Sequence, residues 1–120
     1  TALILASQEG NEEAVRILLE SGANADKQTV NGNTALILAA LKGHGDIVQL
    51  LLDKGAQVDM RTSTGATALF AAASRGHSQT VSILLERGAD PLVTDREGKT
   101  AFFYTKDYNV KAILTAWTKK

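Results

Sequence analysis

A step of 33 residues runs through this chain. Thr1-Ala2-Leu3, Thr34-Ala35-Leu36, Thr67-Ala68-Leu69 and Thr100-Ala101-Phe102 mark it. The same step carries Gly10 to Gly43 to Gly76 and Leu18-Leu19 to Leu51-Leu52 to Leu84-Leu85. It also carries Gly22-Ala23 to Gly55-Ala56 to Gly88-Ala89, and Gly32 to Gly65 to Gly98. Landmarks that share one period, with no insertion before residue 100, describe one structural unit copied along the chain. A unit this short cannot bury its apolar face alone, so neighbours must stack and supply the other wall.

Each landmark has a physical task. Thr34 is a good helix N-cap, and a short apolar helix of small residues runs from it to about Lys42. Gly43-His44-Gly45 ends that helix in a tight turn, where glycine supplies the backbone freedom. Asp46 opens a second helix near the positive end of its dipole. Val48, Leu51 and Leu52 fall at i, i+3 and i+4 and form one apolar stripe, which Gly55 terminates. Residues Ala56 to Thr64 are polar and read as a β-hairpin-like loop. The small pairs Ala39-Ala40 and Ala72-Ala73 allow close helix approach, at the short end of the usual ~8–10 Å.

A unit of helix, turn, helix and hairpin, headed by Thr-x-Leu-x-x-Ala, resembles the ankyrin repeat over essentially the whole chain. The resemblance implies an all-α solenoid of about four stacked units: residues 1–31, 32–64, 65–97 and 98–120, in a single domain. The first and last units are incomplete. The family's Thr-Pro-Leu-His signature is altered here, because Ala2, Ala35, Ala68 and Ala101 stand for Pro, and Ile4, Ile37, Phe70 and Phe103 stand for His. In that family the His ties neighbouring turns by hydrogen bonds, so apolar packing is expected to replace it. In the last unit either Ile113-Leu114 or Ala116-Trp117 can stand for the Leu-Leu pair, and the second register is preferred. The chain opens at Thr1, inside the pattern, so a longer native chain is expected, and Leu3, Ala14 and Ile17 should be left partly uncovered.

Little in the composition points to chemistry. The chain has 120 residues, 44% apolar and 22% charged, with 13 basic and 13 acidic side chains and no Cys. That is an ordinary globular composition. It excludes a disordered tail, a disulfide framework and thiolate catalysis. No apolar run nears the ~20 residues of a membrane span and no signal peptide is visible, so a soluble, intracellular chain (cytoplasm or nucleus) is expected. His44 and His77 stand one unit apart, roughly 10 Å in a stack. Bonds of about 2 Å to one zinc are then impossible. Each is expected to cap the second helix or bond the neighbouring hairpin. Glu12 and Glu13 follow Asn11 in a first helical turn, where acidic residues stabilise the helix. Gly43-His44-Gly45 lacks the Lys-Ser/Thr of a phosphate loop, and no Gly-x-Ser-x-Gly elbow occurs. No catalytic residue, cofactor or metal is expected.

Two features vary along the stack. Net charge runs −3, 0, −1 and +4 over the four units, and five of the six aromatics lie in the last one. Phe102, Phe103 and Trp117 are expected to plug the open end of the stack. The alternative is a basic aromatic patch of the kind that binds single-stranded nucleic acid, with Tyr104, Tyr108 and the lysines 99, 106, 111, 119 and 120.

The resemblance implies a non-catalytic protein-binding module or scaffold that contacts another protein or peptide through hairpin tips and the exposed side of the first helices. On matching positions the tips are Val30, Asn31, Asn33, Ser63, Thr64, Ala66, Arg96, Glu97 and Lys99. The helix ends are Gln8, Glu9, Leu41, Lys42, Ser74 and Arg75. Leu41 is expected to face solvent and to be the central anchor, flanked by Lys42 and Arg75. The competing classes are a nucleic-acid or phosphate-ligand binder and an architectural spacer in a longer array. Nucleic acid is not the expected partner, membrane insertion is not expected, and the chain should be monomeric unless its N-terminal end self-associates.

Overall fold

A computed structural model of the chain describes residues 1–118. The described residues form eight α-helices in four pairs and no strand. The first members are α1 (Ala2–Glu9), α3 (Ala35–Lys42), α5 (Ala68–Ser74) and α7 (Ala101–Tyr104). The second members are α2 (Glu12–Glu20), α4 (Gly45–Asp53), α6 (Ser78–Glu86) and α8 (Tyr108–Thr118). First helices pack on one another in one layer and second helices in a layer behind, giving a stack of 40 × 25 × 22 Å. This is the expected all-α repeat solenoid.

Local chemistry explains the helix ends. Thr1 Oγ1 accepts from the Ile4 N–H and Thr34 Oγ1 from the Ile37 N–H, both at 3.2 Å. Asn11 Oδ1 caps α2 through the Ala14 N–H at 3.1 Å, with Glu12 and Glu13 in the first turn. Gly43 ends α3 at φ 74°, and a Cβ there would lie 2.7 Å from Nδ1 of His77. Backbone conformation and close approach therefore both demand glycine at that position.

Each unit adds the same pieces to one core. Leu3, Leu36 and Leu69 of the first helices are buried, as are Val15, Val48 and Val81 of the second. Ala39, Ala40, Ala72 and Ala73 lie buried between the layers, where a larger side chain would force the helices apart.

The hairpins are tighter than the sequence suggests. Each has a turn bond, from Gly32, Gly65 or Gly98 N–H back to the O of Thr29, Thr62 or Asp95, and one bond between its end residues: Thr29 N–H to Asn33 O at 2.9 Å, Thr62 N–H to Ala66 O at 2.8 Å, and Asp95 N–H to Lys99 O at 2.9 Å. The return bond is made to a side chain, as in Asn33 N–H to Thr29 Oγ1 at 3.1 Å. A ladder never starts, so no strand forms. The loops are instead tied from unit to unit. Gln28 Nε2 donates to Gly32 O within its own loop and to Arg61 O in the next. Arg61 repeats this one step on, to Gly65 O and Thr94 O. Asp26 accepts from the Gln57 N–H, and Asp59 from the Asp90 N–H.

Three expectations fail at the ends. The last unit uses Val110 and Leu114 as its buried positions, while Ala116 is exposed and Trp117 is half-buried against the core. The preferred Ala116-Trp117 register therefore fails: Asp107 faces Gly76 as His77 faces Gly43, three residues short of the 33-residue step, and that shift carries the Leu51 and Leu84 position to Leu114. At the other end Leu3 is buried, since it points into the α3 side of the layer. Ile17, 52% exposed, and Ala14, half-buried, are partly uncovered as expected, and Leu5, 56% exposed, joins them. Phe102 and Phe103 do not plug the stack: they are 44% and 60% exposed because α7 is too short to turn both rings inward.

Candidate binding groove

A groove of about 730 Å3 lies between the first-helix layer and the hairpin tips that close units one to three. Its helix side carries Ile37, Leu41, Thr67, Phe70, Ala71 and Ser74, and its tip side Asn31, Asn33, Thr62, Ser63, Thr64, Ala66, Arg96 and Glu97. Asp95 and Tyr104 close its C-terminal end. The tips are held over the helices by two backbone bonds between loops, Ser63 N–H to Asn31 O at 2.9 Å and Arg96 N–H to Thr64 O at 3.1 Å.

The floor is apolar because Ile37 and Phe70 replace hydrophilic residues one turn into α3 and α5, and both are buried. Phe70 meets the Tyr104 ring at 5.9 Å between centroids, and Tyr104 meets Phe103 edge-on at 5.4 Å. Tyr104 also donates its hydroxyl to Oδ2 of Asp95. Oδ1 of Asp95 accepts from the N–H groups of Glu97 and Lys99 at 2.9 and 3.0 Å. These bonds, the Tyr104 hydroxyl first, hold the Asp95 carboxyl below the usual carboxylate range. The same bond pushes the Tyr104 phenol up to about 12. A different environment acts on Asp59, whose carboxyl is raised chiefly by partial burial in the loop.

One polar atom in the wall lacks a partner. The Thr67 hydroxyl is buried without a hydrogen bond, whereas Thr34, one unit earlier, caps its helix. Ser7 shows the same orphaned hydroxyl away from the groove.

The groove brings together Asn31, Asn33, Leu41, Ser63, Thr64, Ala66, Ser74, Arg96 and Glu97 of the positions expected to contact a partner. Gln8, Glu9, Val30, Lys42, Arg75 and Lys99 do not line it. All of these but Lys99 are exposed, and Lys99 is half-buried between the Glu97 carboxylate at 3.1 Å and the Phe103 ring at 4.3 Å. Leu41 is not the free surface residue expected. It is half-buried against the core and presents only part of its side chain to the groove. The sequence reading missed Ile37, Phe70, Ala71 and Tyr104 as groove residues. Ile37 and Phe70 occupy the slots of the altered signature, which is where the signal lay.

The histidines tie units rather than hairpins. His44 Nε2 donates to the Gln8 carbonyl at 3.3 Å, and His77 Nε2 to the Leu41 carbonyl at 3.0 Å. A carbonyl only accepts, so Nε2 carries the proton. Each ring stands at the N-cap of its second helix without making a side-chain cap bond. Among the described residues no group of three or more His, Cys, Asp or Glu could hold a metal ion, and no helix is long and apolar enough to cross a membrane.

At the C-terminal end Tyr104 and Trp117, not Phe102 or Phe103, are the rings packed against the core, while Tyr108 is 83% exposed. Lys111 lies over Phe102, 5.9 Å from the ring centroid.

Comparison with known families agrees with this architecture. A family model described as ankyrin repeats (3 copies) matches residues 1–62, and one described as ankyrin repeats (many copies) matches residues 51–104. No curated protein matches the chain. Taken with the 33-residue unit and the paired helices, these matches show that the chain belongs to the ankyrin repeat family, whose repeats are generally protein–protein interaction modules and typically non-catalytic.

Proposed function

We propose that residues 1–120 act as one non-catalytic module that binds a partner protein or peptide through the groove and the hairpin tips above it. The observation that carries this reading is the groove itself: an apolar floor of Ile37, Leu41, Phe70 and Ala71 under a polar rim of Asn31, Asn33, Ser63, Thr64 and Arg96. An apolar centre with a polar edge is the usual anatomy of a protein interface. Gln8, Glu9, Lys42 and Arg75 extend the surface beyond the groove, and Val30 extends it at the first tip. An intracellular, monomeric protein is the context in which this reading operates.

Retention of proteins from a lysate by the chain, compared with Leu41→Asp and Ser63→Trp, tests it. Leu41 packs partly on the core, so its variant is read only where circular dichroism shows parental helicity. Ser63 is an exposed tip residue, and a Trp there overhangs the groove without entering the core. The expected outcome is a retained protein lost by both variants, with affinity falling by more than about 1 kcal/mol for each. Retention unchanged by both variants would sink the reading.

A further inference from the structure

The partner's chemistry follows from the charges left uncommitted around the groove. Two carboxylates line it, Asp95 and Glu97. Asp95 has both oxygens engaged, by two backbone N–H groups and the Tyr104 hydroxyl. Glu97 is paired with Lys99 at 3.1 Å. Arg96 stands between them on the rim with its side chain in no hydrogen bond or ion pair among the described residues. The same holds for Lys42 and Arg75, which directly follow the groove residues Leu41 and Ser74. The chain is neutral overall, and around this groove the charged groups without a partner among the described residues are Arg96, Lys42 and Arg75, while both lining carboxylates are engaged.

From this we infer that the groove takes an extended peptide segment with one bulky apolar side chain flanked by Asp or Glu. The inference rests on the protein-binding reading above and specifies its ligand. The apolar side chain seats against Leu41, Phe70 and Ala71, where burial rewards it in proportion to area. Its acidic neighbours meet Arg96 and Arg75, and guanidinium groups pair with carboxylates bidentately. Rim charges of this kind mainly set association rate and salt dependence.

The experiment is selection from a displayed library of random peptides about ten residues long, which span ~30 Å when extended. The parent chain, Ser63→Trp and the double variant Arg75→Glu/Arg96→Glu are panned in parallel. Both arginines are exposed, so the double variant should match the parent's melting curve. Enriched peptides should carry an apolar residue beside Asp or Glu. A synthetic enriched peptide should bind the double variant at least about tenfold more weakly, a change of 1.4 kcal/mol. Its Lys-for-Glu analogue should bind the parent equally poorly. Enrichment of neutral or basic peptides that Ser63→Trp abolishes would overturn the acidic ligand and keep the protein-binding groove. Enrichment indifferent to Ser63→Trp, or none, would overturn both. A labelled oligothymidylate that displaces the peptide and binds more tightly would overturn the peptide in favour of nucleic acid.

Discussion

The second and third units of the stack are near copies, and the fourth is not. In the copies, His44 and His77 reach back to the same carbonyl position of the preceding first helix, Gln8 and Leu41. Val48 and Val81 are buried alike, and so are Ile37 and Phe70. In the fourth unit the first helix has only four residues, and Asp107 takes over the turn by accepting from the Val110 N–H at 3.0 Å. Phe103 sits one step beyond Phe70 in the pattern yet is largely exposed. No described helix packs on its far side. A repeated landmark fixes a residue's address; a neighbouring unit fixes its burial.

The largest expected contrast sets a copied core position against an end position. Leu84 is fully buried, and Leu84→Ala should cost about 2–5 kcal/mol in urea denaturation. Ile17→Ala removes a half-exposed side chain at the outer face of the first unit and should cost at most about 1 kcal/mol. Equal costs would mean that the first unit's outer face is covered in solution. A finer contrast lies in the glycine turns. Gly43 and Gly76 share positive φ, 74° and 72°, but a Cβ at Gly43 would press on His77 at 2.7 Å and one at Gly76 would meet Asp107 at 3.4 Å. Gly43→Ala should lower the melting temperature more than Gly76→Ala, with at least about 1 kcal/mol lost at each. The reverse order would show that His77 yields more readily than the turn containing Asp107.

The smallest effect concerns the bond that closes the groove. Tyr104 keeps its proton in the folded chain up to about 12, against an ordinary value of 10.0. Its contribution to stability is therefore complete below pH 10 and is lost as pH rises through about 12. Asp95 behaves oppositely: its contribution is complete above the ordinary carboxylate range and disappears as pH falls through its lowered folded value. Absorbance titration of the two tyrosines should show one late phenolate step near 12. Tyr104→Phe should remove that step, and Asp95→Asn should bring it earlier. A titration unchanged by Asp95→Asn would break the link between α7 and the last hairpin.

What the sequence made legible is whatever the period repeats. The Val and Leu stripe, the Ala pairs and the glycine turns recur, and so does the Thr at each first-helix start, although only Thr1 and Thr34 make the cap bond; each acts within one unit or on an identical neighbour. The loop ties were not legible. Gln28, Arg61, Asp26 and Asp59 are ordinary polar residues, and only the stacking geometry aims them at backbone groups of the next loop. Leu41 defeated the reading because a helix face is shared: one side chain both packs on the core and lines the groove. The last unit failed because the preferred Ala116-Trp117 register allowed for one missing residue. Three are missing between His77 and Asp107, which brings the buried position to Leu114.

The histidine bonds also give the stack a direction of mechanical weakness. Units one to three are clasped in series, each ring holding the carbonyl behind it, at Gln8 and then at Leu41. Between the third unit and the fourth the ring is absent, and Asp107 turns its carboxylate to its own helix. A force drawn along the chain by its ends should therefore peel the fourth unit away first. The clasped three should then part together at a higher load, so that an extension trace would carry two steps of unequal height.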